Sequence, residues 1–154
     1  MSEMTHTDPY SGLPDPDRHA EFYADVTIKR FFAWLIDATL ILILTIIAVP
    51  FTAFTAIFYF PFLWLAIGLI YRIATLSGRS ATPGMRLMAI EFRNRQGERF
   101  DLAHAALHTV IYTVALGTFL IQAASIILML ASARGQSLGD HLLGSAAINR
   151  AATR

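Results

Sequence analysis

Two apolar runs, each about as long as a bilayer is thick, limit what this chain can become. Residues 30–49 fall within "KRFFAWLIDATLILILTIIAVP", and residues 54–74 read "FTAIFYFPFLWLAIGLIYRIA". A helix needs roughly 20 apolar residues to cross a hydrocarbon core of about 30 Å. Both runs reach that length, and the turn between them, near "VPFT", carries no charge. The pair therefore reads as a helical hairpin in a membrane, with Pro61 expected to kink its second arm. One residue resists this reading. Asp37 lies inside the first run, where a carboxylate facing lipid costs about 2.5 to 3.5 kcal/mol at the helix centre. It is expected to face other protein groups instead.

The composition agrees with a membrane. Of 154 residues, 55% are hydrophobic and 15% charged, against about a quarter charged in soluble domains. The length suits one small bundle. Lys29 and Arg30 flank the first run, and Arg72 and Arg79 mark the end of the second. The positive-inside bias then sets the N-terminus and the 75–101 loop in the cytoplasm. A third apolar stretch covers 102–132. As one helix it would be about 46 Å long, longer than the core. A break at Gly117-Thr118 would give two short segments and return Arg134, Arg150 and Arg154 to the cytoplasm. The fold class expected is thus an all-α integral membrane bundle of four segments, about 30–49, 54–74, 102–116 and 118–132. Three spans are the alternative. "MRLMAIEF" alternates and ends near the turn residues "NRQGE", so a small cytoplasmic β-like element is expected there, with "SAAINR" as its partner strand.

The ends differ in character. Residues 1–25 hold acids and prolines in "MSEMTHTDPYSGLPDPDRHAEFYAD" and read as a flexible acidic tail with no cleavable signal. Residues 26–149 form the membrane domain and 150–154 a C-terminal tail. There is no cysteine, so disulfides and cysteine-ligated metals are excluded.

Three blocks, in order and at consistent spacing, carry a resemblance: "KRFFAWLID", "ATPGMRLMAIEF" and "RGQSLGDHLLGSAAI". Together they resemble the RDD family of small bacterial integral membrane proteins, which is named for one arginine and two aspartates. The resemblance places those residues at Arg30, Asp37 and Asp140, and a loop motif at Thr82, Gly84 and Arg86. It departs from the family pattern at three positions: Met85 stands where a basic residue is common, Gly139 where histidine usually precedes the aspartate, and Ser145 where threonine is usual. It implies a protein of the bacterial inner membrane, multi-pass, with poorly defined activity for which transport is the customary reading.

Arg30 and Asp37 are seven residues apart and share a helix face. An arginine near the cytoplasmic end is the natural partner for Asp37, with Arg30, about 10 Å along the helix, the nearest. Asp140 would share that arginine. Asp101, His104 and His108 form a polar stripe at helical spacing. "HAALH" is not a metalloprotease motif, and a stripe facing the bundle outweighs a metal site. No catalytic residue, metal or cofactor is expected, and the chain is not read as an enzyme. Six cytoplasmic arginines between 72 and 99 suit topology and anionic lipid better than nucleic acid. Two functions remain. One is transport of a cation, proton or small solute through the intramembrane Asp and Arg groups, in a homo-oligomer. The alternative is a non-transporting accessory or scaffold that recruits a protein partner through its basic cytoplasmic face.

Overall fold

Residues 26–48 contain neither glycine nor proline, and they run as one helix, α1 (Val26–Ala48), in the computed structural model, which describes residues 11–153. At 1.5 Å per residue its 23 residues reach about 35 Å, enough to cross a bilayer core. Pro50 then ends the α-helical hydrogen bonding, and the chain reverses through a 3-10 turn (Val49–Thr52) and two left-handed residues, Ala53 (φ 51°) and Phe54 (φ 63°). A second 3-10 turn (Thr55–Tyr59) leads into α2 (Phe60–Arg79).

Pro61 does not kink this arm. It occupies the first turn of α2, where a missing N–H costs nothing because that group has no partner in the helix anyway. The helix also continues five residues past its expected end, to Arg79. Of the described helices, two are long and apolar enough to span, those centred on α1 and α2.

The remaining helices are shorter. Asp101 accepts from the His104 N–H at 2.8 Å and starts α4 (Leu102–Gly117). Thr118 is extended (φ −125°, ψ 104°), so helical bonding stops there and restarts in α5 (Phe119–Ala131). The axis turns by 118° at this point, which is where Gly117-Thr118 suggested a break. The bent pair counts as a third span only if it is taken as one broken crossing. Its two outer ends gather at the same end of the bundle: Phe100 N–H donates to Ser80 Oγ after α2, and Gly135 O, beyond α5, accepts from Arg30 near the start of α1.

At that end lies a polar cap. A short helix, α3 (Pro83–Leu87), begins with Thr82 accepting from Met85 N–H and with Pro83 in its first turn. The strand expected over "MRLMAIEF" is therefore confined to β1 (Ile90–Arg93), because capping by Thr82 draws its first residues into a helix. Beyond α6 (Leu138–Leu143), β2 (Ala146–Asn149) pairs antiparallel with β1, Ile90 opposite Asn149 and Arg93 opposite Ala146. The expected partner strand is thus present. The densest apolar packing sits under this sheet, where Val26, Ala33, Leu76, Met85, Ile90, Phe92, Phe100 and Ala105 meet. The rings of Phe92 and Phe100 stack at 5.1 Å. Along α1 and α2, by contrast, Phe32, Ile43, Ile47, Phe62 and Ile70 point outward, as surfaces for lipid would.

The expected flexible tail needs correction where it is described. Leu13 is buried, Gly12 N–H donates to Arg95 O at 2.7 Å, and Tyr23 Oη donates to Pro14 O. Asn149 then ties the segment down by donating to Glu21 O and Ala24 O. Scattered Leu13 and Tyr23 provide anchors that an average over an acidic, proline-rich composition hides. Residues 1–10 of that tail lie outside the described residues. At the other end, residues 150–153 form a 3-10 turn held by Arg150 N–H on Ala89 O.

Gly84 marks the closest approach of α3 to α1. A Cβ there would sit 2.2 Å from Ala33 O and 2.9 Å from Asp37 Cγ. Gly84→Ala should therefore force the cap away from α1 and lower stability in detergent by about 1–3 kcal/mol or more. Gly78→Ala, with nothing within 4 Å of its Cβ, should leave the unfolding temperature unchanged or slightly raised. Equal behaviour of the two variants in thermal unfolding would refute this packing.

Candidate functional site

The capping box of α6 builds the first cluster. Ser137 accepts from Asp140 N–H, and Asp140 Oδ2 in turn accepts from Ser137 N–H at 2.9 Å. This reciprocal pair holds the Asp140 carboxylate, fully buried, at the helix start. Into it reach groups from distant parts of the chain. Arg30 Nη1, on α1, donates to Oδ2 at 2.6 Å. His108 Nε2, on α4, donates to Oδ1 at 2.9 Å, since a carboxylate with these donors only accepts. Ser145 Oγ adds a bond to Oδ1 at 2.9 Å. Arg30 also donates to Gly135 O and lies 5.2 Å from the centre of the Phe92 ring. Gly144, left-handed at φ 68°, ends α6 and lets Ser145 N–H return to Asp140 O.

Burial by itself would raise the Asp140 carboxyl. The Arg30 guanidinium, with His108, outweighs it and holds the group well below the usual carboxylate range.

The second cluster surrounds Asp37, which is 2% exposed. Tyr71 Oη on α2 donates to Oδ1 at 2.7 Å, Gly84 N–H to Oδ1 at 2.9 Å, and Thr82 Oγ1 to Oδ2 at 2.5 Å. Short polar groups from α2 and from the start of α3 thus take the place of lipid.

The expected pairing of Asp37 with Arg30 does not occur. Arg30 turns toward the loop before α6 and belongs to Asp140, while Asp37 is held by neutral donors. The reason is reach: seven residues of helix separate Arg30 from Asp37, whereas α6 and α3 bring partners directly against each carboxylate. Arg30, Asp37 and Asp140 are all site residues, but in two clusters. Of the loop motif, Thr82 and Gly84 contact Asp37, and Arg86 is exposed. The stripe of Asp101, His104 and His108 also divides. Asp101 and His104 pair with each other at the surface, Oδ1 to Nδ1 at 2.9 Å, and His108 faces Asp140. The Asp101 carboxyl is lowered chiefly by the His104 N–H it caps.

Sequence reasoning missed Tyr71 and Ser137. The S-x-x-D spacing of Ser137 and Asp140 was a readable capping signal. Tyr71 gave none, because only the packing of α2 on α1 places it. Two of the three departures from the family pattern find their account here. Ser145 supplies the hydroxyl that a threonine would. The imidazole at Asp140 comes from α4, and His141 instead bonds Ser137 O through Nδ1.

Apolar helices of membrane length, carrying a folded polar cap joined to them by buried charge, define a membrane protein. Residues 24–144 match the model of the RDD family, and the chain belongs to that family. No curated protein and no solved structure matches it.

Removing Arg30 should strand the Asp140 carboxylate in a dry site. Arg30→Met is expected to cost about 3–5 kcal/mol, as breaking a buried pair typically does. The double change Arg30→Met with Asp140→Asn should recover part of that loss, and full additivity in thermal unfolding would count against the pair. The acid limb follows from the same interaction. A carboxyl whose folded value lies below its unfolded value stabilises fully above the ordinary range, near pH ~4, and loses that stabilisation as pH falls below it. The stability gap between wild type and Asp140→Asn should hold from neutral pH to about pH 5 and close in stronger acid.

Proposed function

We propose that this membrane protein is a non-enzymatic platform. Two membrane helices carry a folded cytoplasmic cap, and the basic outer surface of that cap recruits an acidic partner protein. The observation that carries this reading is how the family's charged residues are used. Both carboxylates are engaged in joints between cap and helices, Asp140 through Arg30 and His108, Asp37 through Thr82, Gly84 and Tyr71. Meanwhile Arg79, Arg86, Arg95 and Arg99 stand exposed at the same end, where they complement an acidic surface and satisfy the positive-inside bias. On this reading the protein is multi-pass in a bacterial inner membrane, with the N-terminus, the cap and the C-terminus in the cytoplasm. Four membrane segments suit this best, with α4 and α5 as a short hairpin.

The second reading is transport of a cation, proton or small solute by a homo-oligomer. Its support is a small cavity beside α1 and α2 that both Asp37 and Arg72 line. Flux separates the two. In liposomes, wild type is expected to move neither protons nor sodium faster than protein-free vesicles. Flux that Asp37→Asn abolishes, with the variant folded, would decide for transport.

Topology has its own test, eased by the lack of native cysteine. A single cysteine at Ala152 should resist an impermeant maleimide on intact spheroplasts and react after lysis. Labelling before lysis would place the C-terminus outside and remove the hairpin.

A further inference from the structure

Arg72 is a buried cation for which the described residues supply no hydrogen-bonding acceptor. It lies on α2 with 9% of its surface exposed, and its Nε makes no hydrogen bond among the described residues. The neighbour that its guanidinium does have is an aromatic ring: Tyr112 lies 4.0 Å beneath it. Tyr112 is itself fixed by Trp34, whose Nε1–H donates to Tyr112 Oη at 2.7 Å. Asp37 lines the same cavity, but Tyr71, Thr82 and Gly84 already claim its oxygens. A guanidinium carries five donors in a rigid fork that suits a bidentate oxyanion. A ring face answers its charge but accepts none of its conventional hydrogen bonds.

The cavity beside Arg72 is bounded by Trp34, Trp64, Gly68 and Tyr112 and has a volume of about 40 Å³. One water needs roughly 10–15 Å³ by this measure, so a small anionic group fits. Its surroundings point to where that group comes from. Trp34 and Leu65 at its edge are each 39% exposed, on helix faces turned toward lipid. Arg72 stands seven residues before Arg79, about 10 Å from the cytoplasmic end of α2. That is within reach of the headgroup level, where tryptophan and tyrosine gather and basic pockets between helices take lipid headgroups.

We propose that Arg72 anchors a phospholipid site: its guanidinium holds the phosphate of one membrane phospholipid, whose chains lie outside against the apolar edge at Leu65. Trp34 and Tyr112 keep the guanidinium in place from below, and Gly68 leaves the room. The site requires only that α1 and α2 lie in a membrane; a lipid phosphate there would occupy the cavity that supports the transport reading.

Thermal unfolding of the full chain in detergent tests it with three additives: phosphatidylglycerol, diacylglycerol and inorganic phosphate at matched ionic strength. Wild type is expected to gain stability saturably with phosphatidylglycerol and with neither of the others. Arg72→Met should bind phosphatidylglycerol about tenfold more weakly or worse, as losing a charge-assisted pair implies. Gly68→Leu should do the same with the arginine intact. A Cβ at Gly68 meets Ile41 only at an ordinary 3.6 Å, so the longer side chain fills the cavity. Should Arg72→Met not be recovered folded, Gly68→Leu decides in its place. Wild-type affinity in the deciding variant would overturn the site. So would an equal shift from diacylglycerol, which lacks the phosphate, or from inorganic phosphate, which lacks the chains.

Discussion

The Asp140 carboxylate is the point on which the cap depends. Groups from α1, α4, the α6 capping box and the residue before β2 all end on its two oxygens. A buried charge is costly unless paired and hydrogen-bonded. Each of these contacts therefore also constrains the element that supplies it. Arg30 fixes the rotation of α1 about its axis, and His108 fixes that of α4. The short α6 has too few residues to be stable as an isolated helix, and its cap bonds with Asp140 give it a start. The sheet follows, because β2 begins directly after Ser145.

The second carboxylate is handled by other means. Asp37 receives a phenol, a hydroxyl and a backbone N–H, and among the described residues no guanidinium bonds to it. These donors come from α2 and from the turn into α3, so Asp37 holds the two membrane helices and the cap together at one point. Gly84 is what permits this, since any side chain there would strike the backbone of α1 at Ala33. The loop residues shared with the family thus have separate physical duties: Thr82 caps α3 and binds the carboxylate, while Gly84 brings a backbone donor within reach. Arg72, by contrast, is a buried charge with no hydrogen-bonding acceptor among the described residues, its guanidinium lying over the Tyr112 ring.

The two membrane helices, the apolar character of the chain and the break at Gly117-Thr118 were all legible in the residues. So was the pairing of "AIEF" with "SAAINR", once both were assigned to one side. These features rest on local properties: run length, hydropathy, and the poor helix propensity of a Gly-Thr pair. The three charged family residues were legible as a set only through the resemblance of the three sequence blocks; of them Asp37 alone stood out by itself, as a carboxylate in an apolar run.

Which charge meets which was not legible. Arg30 and Asp37 look like partners along the sequence because they share a helix face, yet seven residues of rise separate them, and better-placed groups arrive from elsewhere. His108 read as part of a stripe with His104, but α4 turns one toward Asp140 and the other toward its own N-cap. Leu13 and Tyr23 pinned down a segment whose composition reads as a tail. The sequence by itself determined that this chain lives in a membrane and must shield Asp37 from lipid, since both follow from solvation costs paid residue by residue. Only the tertiary structure decided the partners, because a hydrogen bond depends on where two side chains end in space, and that is set by how α3, α4 and α6 pack against α1.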